Sequence, residues 1–269
     1  MKTIGIVLAV LTGMVLIAWL GLQVQPRPLP PFSGRAAQAD FRAVPGDLPA
    51  PVSRFYDRVY GEEMPQIRSM VISGRGTMRI NGITMPVRWR FSHQSGENYR
   101  HYIETTWFGI PLLRVNEWYL SGSGRLELPF GISEGREVDQ GANLGLWSET
   151  LWASSVWLTD PRVAWGEVDE QTATLTVPYG EETQTFIVRF EPESGLVRFL
   201  ESMRYKGEGS QAKTLWINEA REWLPLDGGL QPVDVALTWY DEGTPWAKLQ
   251  VEEVIYNADL TEYITQEGP

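Results

Sequence analysis

From Leu48 onward apolar and polar residues alternate along most of the chain, and a period of two predicts strands with one face turned to a core. The clearest case is Met85, Val87, Trp89 and Phe91, interleaved with Pro86, Arg88, Arg90 and Ser92. Before it, Met70, Ile72, Met78 and Ile80 share a face around Gly74 and Gly76, which predict a bend or bulge. Asn81-Gly82 predicts a tight turn between these two strands. Tyr99, His101, Ile103, Thr105 and Trp107 form the next inner face, followed by strands around 112–120 and 125–128 joined by Ser121-Gly122-Ser123-Gly124. A second series runs through Ala173, Leu175 and Val177, then Phe186, Val188 and Phe190, and on to 197–202, 215–223, 233–239 and 247–251. Gly180, Gly195, Gly207-Glu208-Gly209, Gly228-Gly229 and Gly243 mark turns.

Two stretches depart from this alternation. In residues 141–158, Leu144, Trp147, Leu151 and Leu158 recur at near-helical intervals, with Trp152 and Val156 widening the stripe. They predict one apolar helix packed across a sheet that both halves of the chain build. Residues 48–61 predict a short amphipathic helix, with Pro51 in its first turn, Val52, Phe55, Tyr56 and Val59 on its apolar side, and Gly61 ending it. The expected fold is mainly β (α+β): a large curved antiparallel sheet or half-barrel of about ten strands with a covering central helix. No repeat or proline-rich linker divides 48–258, so a single domain is expected there, with an acidic tail at 259–269.

The first residues obey neither period. Residues 4–22 are nineteen uncharged, mostly apolar positions, about the length a helix needs to cross a bilayer core. No small-residue cleavage site follows closely, which favours a retained transmembrane anchor over 1–25 rather than a removed leader. Pro26, Pro28, Pro30, Pro31 and Pro45 make 26–47 an extended tether. Lys2 before the apolar run and Arg27, Arg35 and Arg42 after it do not select a side of the membrane by charge.

Composition narrows the classes of function. The 269 residues carry 34 Asp and Glu against 23 Lys and Arg, so no nucleic-acid partner is expected. The absence of cysteine excludes disulfides, thiolate zinc sites, thiol catalysis and a lipidated cysteine. Neither a Walker loop, a dinucleotide fingerprint, a nucleophile elbow nor a His-Glu-x-x-His pattern occurs, and no cofactor is expected. Twelve tryptophans are many for this length. They fill a β-rich core or line an apolar cavity, and Trp89, Phe91, Trp107, Trp118, Trp147, Leu151, Trp152 and Trp239 are the candidate lining.

Polar candidates are few. Glu149 lies on the predicted central helix among Trp147, Leu151 and Trp152. On the wet face it is an ordinary carboxylate; facing the sheet it needs a cation or several donors, with Arg162 and Arg189 as partners to consider. The chain has two histidines, His93 at a strand end and His101 on a predicted inner face, and their spacing carries no metal motif. Structural or surface roles are expected for both, with His101 the better candidate for a polar group at a site.

Three stretches resemble a bacterial family of membrane-anchored proteins that is known as a domain of unknown function. They are Leu48-Pro49-Ala50-Pro51-Val52-Ser53-Arg54-Phe55-Tyr56, then Ser148-Glu149-Thr150-Leu151-Trp152 with Val163-Ala164-Trp165 and Thr172-Ala173, and finally Val254-Ile255-Tyr256-Asn257. Ala153-Ser154 stands where that family leads one to expect a proline. The order helix, strands, covering helix, strands also resembles the lipoprotein-carrier fold, a half-barrel that holds acyl chains under a helical lid. The resemblance implies a membrane-anchored, extracytoplasmic module that binds a lipid or other apolar ligand between sheet and central helix, and it supplies no catalytic residue. A structural domain within an envelope complex is the alternative, and a hydrolase using Glu149 a more remote one.

Overall fold

The computed structural model describes residues 2–227 and 229–269; Met1 and Gly228, hence half of the predicted Gly228-Gly229 turn, lie outside the described residues. The chain begins with helix α1, Lys2–Gln23, followed by an extended run, the short strand β1, Phe41–Ala43, and helix α2, Ala50–Val59. Among the described residues, α1 is the one helix long and apolar enough to cross a membrane. Strand β2, Glu63–Pro65, pairs with β1 in a small separate sheet.

Six strands then follow by simple hairpins: β3 Ser69–Ile80, β4 Ile83–Gln94, β5 Asn98–Trp107, β6 Ile110–Leu120, β7 Ser123–Leu128 and β8 Gly131–Glu134. The helical segment comes next, and seven more strands follow among the described residues: β9 Ala164–Asp169, β10 Thr172–Tyr179, β11 Glu182–Phe190, β12 Val197–Arg204, β13 Thr214–Leu226, β14 Gly229–Trp239 and β15 Pro245–Tyr256. All thirteen pair antiparallel in one open sheet, in the order β8-β7-β6-β5-β4-β3-β15-β14-β13-β12-β11-β10-β9. The last strand therefore returns to the first and closes the gap between the halves. The period-two pattern is the reason: one continuous inner face must be buried, and a one-residue slip anywhere would turn it outward.

The predicted bend at Gly74 and Gly76 is not in β3, which runs unbroken in register with β4. The bulge is in the neighbour, between Val251 and Glu253 of β15. A Cβ on Gly74 would lie 1.9 Å from the Gln250 carbonyl oxygen, and one on Gly76 2.0 Å from that of Lys248. These glycines permit a close crossing of β15, and the indole of Trp89 fills the space over Gly74.

The predicted central helix is three pieces and starts earlier. Helix α3, Arg136–Glu149, passes into a 3-10 turn at Thr150–Ala153, and helix α4, Val156–Thr159, ends the segment. Backbone groups released at the break find partners on other elements: Tyr56 donates to the Ser154 carbonyl at 2.8 Å and Tyr256 to that of Trp152 at 2.5 Å. Trp152 itself donates Nε1 to the Pro232 carbonyl at 2.9 Å. The segment and α2 cover the inner face together, with Phe55, Trp89, Trp147, Trp157 and Phe186 among the buried side chains. Complete burial of a ring such as Phe55 or Phe186 contributes roughly 1.5–3 kcal/mol.

The proline-rich run carries no helix and lies against the outer face of the sheet. Arg75 and Arg88 donate to the carbonyls of Pro26 and Arg27 at 3.1 and 3.3 Å, and Arg90 donates to that of Pro30. Arg90 also stacks over Phe32, whose ring meets Tyr263 of the C-terminal segment edge-on at 5.3 Å. Leu260 and Val71 complete this small second core.

Candidate functional site

Antiparallel pairing of β4 with β5 sets Phe91 against His101 and His93 against Tyr99. The two histidines are therefore diagonal neighbours on the inner face, with ring centres 5.7 Å apart. Glu149, at the end of α3, descends between them. Its Oε2 lies 2.7 Å from His101 Nε2 and 2.8 Å from His93 Nε2. On the far side of His101, Nδ1 lies 3.5 Å from Glu117 Oε2, and the Tyr99 hydroxyl donates to the other oxygen, Oε1. Both imidazoles are buried, and the Glu149 side chain is 16% exposed.

Burial opposes charge on every member, and the partners decide which charges survive. Desolvation works against a protonated His101, but Glu149 and Glu117 outweigh it and hold its pKa at about 9. Desolvation also works against ionised Glu149, and His101 and His93 outweigh it, leaving a pKa of about 2. His93 is fully enclosed, and burial pushes its pKa down despite Glu149. For Glu117, burial is overcome by the hydrogen bonds of His101 and Tyr99, and its pKa falls. The cluster thus holds a charged His101 between two carboxylates and a neutral His93 beside them. Such a set can store a proton or bind a cation.

Glu149 faces the sheet, and its partners are imidazoles rather than the two arginines considered from sequence. Arg162 pairs with Asp160 at 2.5 Å and Arg189 with Glu201 at 2.6 Å. Sequence reasoning also missed Glu117 and treated His93 as incidental. A signal was present: His93 continues the every-second-residue series Met85, Val87, Trp89 and Phe91, and His101 lies in the series from Tyr99 to Ile103, so alternation places both on inner faces.

The apolar candidates divide between the two faces. Trp89, Phe91, Trp147, Leu151, Trp152 and Trp239 belong to the inner core. Trp118 does not: it pairs with Arg100, and the alternation that sends Glu117 and Tyr119 inward sends Trp118 to the outer face. Trp107, the last residue of β5, is not part of the inner core either and is 38% exposed. Between the helical segment and the sheet, the space bounded by Phe91, Glu149, Leu151, Trp152, Val235 and Leu249 is about 20 Å³. Ligand pockets measure about 300–1,000 Å³, so in this state the rings interdigitate and leave no room for an acyl chain.

Trp107 packs instead on α1. Its Nε1 donates to the Ala18 carbonyl at 3.1 Å, and the Phe108 backbone N–H donates to that of Gly21 at 2.8 Å. A Cβ on Gly21 would sit 2.0 Å from the Trp107 ring, so glycine permits the indole to lie on the helix. The β3–β4, β5–β6 and β7–β8 turns share this end of the sheet by antiparallel parity. Their tips carry exposed apolar side chains: Ile83, Phe108, Ile110, Leu112, Phe130 and Ile132, with Phe130 78% and Ile110 66% exposed.

Comparison with solved structures finds similar folds at low identity. A DUF1329 family protein from Desulfovibrio piger is 12% identical over 75% of this chain and 91% of its own, with a TM-score of 0.46. A LolA superfamily protein from Nitrosomonas europaea is 9% identical over 80% of this chain and 96% of its own, with a TM-score of 0.49. These likenesses concern the course of the chain and say nothing of its chemistry. No curated protein matches the sequence significantly. Residues 40–249 match the model of the family of unknown function DUF6544, and the chain belongs to that family.

Proposed function

We propose that the protein is a membrane-anchored lipid-binding module whose globular domain rests on the bilayer and meets lipid with the turns beside α1. The observation that carries this reading is the joint between α1 and the β5–β6 hairpin. A helix of 22 residues is about 33 Å long, close to the thickness of the hydrocarbon core. The bonds from Trp107 and Phe108 to Ala18 and Gly21 then fall in its last turns, at the level where tryptophans favour the interface. A domain bonded there does not swing on a tether, and the arginine contacts to the carbonyls of Pro26, Arg27 and Pro30 hold the following residues down as well. Phe108, Ile110, Leu112, Phe130 and Ile132 would stand in water if the domain were free, and five exposed apolar side chains at one end of the sheet call for an occupant. Acyl chains at the bilayer surface are that occupant. The geometry is the same on either side of the membrane.

The alternative placement of the ligand, between α3 and the inner face, requires the helical segment to lift, because the space there is about 20 Å³. Reconstitution of the full chain with a photoreactive diacyl lipid separates the two. Crosslinks at 107–112 and 128–132 are expected. Crosslinks confined to Phe91, Leu151 and Trp152 would overturn the surface placement in favour of the interior one.

A further inference from the structure

His93 is wholly enclosed, and among the described residues neither of its ring nitrogens completes a hydrogen bond. Its Nε2 is 2.8 Å from Glu149 Oε2, but the carboxylate oxygen lies off the direction an N–H would take. A wholly buried imidazole with both nitrogens unpartnered is not a satisfied core histidine, and it leaves a lone pair free to bind an ion. We propose that His93 Nε2, His101 Nε2 and a carboxylate oxygen of Glu149 bind a divalent transition-metal ion, zinc by the chemistry of the set, with water as the fourth ligand.

Four observations support the assignment. The three donor atoms lie within 4.8 Å of one another and come from three elements, β4, β5 and α3, that the core holds in place. Two imidazoles with one carboxylate suit zinc and disfavour calcium or magnesium, which prefer oxygen alone. Glu117 sits at 3.5 Å from His101 Nδ1 and takes a hydrogen bond from Tyr99, so it can hold the Nδ1–H tautomer and turn the Nε2 lone pair inward. The space on the Glu149 side, about 20 Å³ and bordered by Ser148 and Asn218 but by neither histidine, is enough for one water beside the carboxylate. Metal–ligand bonds of about 2.0–2.2 Å separate tetrahedral ligands by about 3.3 Å, so the carboxylate must draw back by roughly half an ångström. The competing account is a plain ion pair: Glu149 with His101 pins α3 to the sheet and no metal is involved.

The composition makes the test unambiguous. The chain has two histidines and no cysteine, so in untagged protein any imidazole bound to a metal must come from this cluster. Full-length chain in detergent, stripped with chelator, is titrated with zinc alone and examined by X-ray absorption. One zinc per chain with two imidazoles in its coordination shell is expected, and cobalt in its place should give the visible bands of a tetrahedral site. Affinity should fall at least tenfold in His93→Gln and in Glu149→Gln; the scattering from the native chain decides the matter if either variant fails to fold. No saturable binding, zinc bound by oxygen alone, or variants that bind as tightly as the native chain would each overturn the proposal.

Discussion

Glu149 enters the interior from the last turn of α3 and meets two imidazoles rather than an arginine. Removing one partner of a buried charged pair costs about 3–5 kcal/mol, because the other charge is left without compensation. Glu149→Leu should destabilise the chelator-treated protein by about that amount in denaturant unfolding, and a loss below about 1 kcal/mol would show that the pair contributes little. The same cluster gives stability a pH dependence in chelator. His101 has its pKa raised from 6.5 to about 9, so its contribution is complete below pH 6.5 and is lost as pH rises towards 9. Glu149 has its pKa lowered from 4.5 to about 2, so its contribution is complete above pH 4.5 and is lost as pH falls towards 2. His93, lowered from 6.5, also works against acid, since its contribution is present above 6.5 and lost below it. Denaturation midpoints should therefore decline between pH 6.5 and 9, and His101→Gln should flatten that limb. A limb that persists in the variant would assign it to another group.

At the scale of elements, packing depends on a few points where one backbone crosses another. Gly74 and Gly76 let β15 lie close to β3, and a methyl at Gly74 would meet the Gln250 carbonyl and the Trp89 ring together. Gly74→Ala should cost about 1–3 kcal/mol, as overpacking does, read as a lowered unfolding midpoint with the slope unchanged. The run from Pro26 to Phe32 is held by arginines on the outer face. Arg90→Ala removes the bonds to Pro30 and Ser73 and the stacking on Phe32. Trypsin should then cut at Arg35 faster than in the native chain while the sheet stays folded; equal rates would mean that the strap does not depend on Arg90. Alternation made the strands legible from sequence, since a half-buried strand writes its inner face into every second residue, as in Met85 to Phe91. The helical break at Ser154-Ser155 was not legible, because tyrosines from α2 and β15 satisfy it across nearly a hundred residues or more. Trp118 was misplaced because one step of alternation decides the face, and Trp107 because β5 ends there beside α1; residue type decides neither. The histidine–carboxylate cluster needs the register of β4 with β5 and the end of α3 together, which no one stretch of sequence contains.

At the scale of the whole molecule, the sheet keeps its two faces for different tasks. The inner face is filled and closed by α2, α3 and α4, with the polar cluster enclosed among aromatic rings. The outer face receives the N-terminal run and the C-terminal segment, and one end of the sheet presents apolar turns beside α1. Gly21→Leu at the joint should displace the Trp107 ring and loosen the domain from α1, seen as a red-shifted tryptophan emission and faster hydrogen exchange at Phe108. Unchanged exchange at Phe108 would mean that the joint does not rest on this contact. The absence of cysteine allows the most direct measurement of the central claim. Phe130→Cys in the full chain, labelled with a polarity-sensitive fluorophore and reconstituted into vesicles containing lipids brominated on the acyl chain, reports whether the turn tip reaches the hydrocarbon. A domain resting on the bilayer predicts a blue-shifted emission quenched by the brominated lipid. An emission characteristic of water, with no quenching, would contradict it.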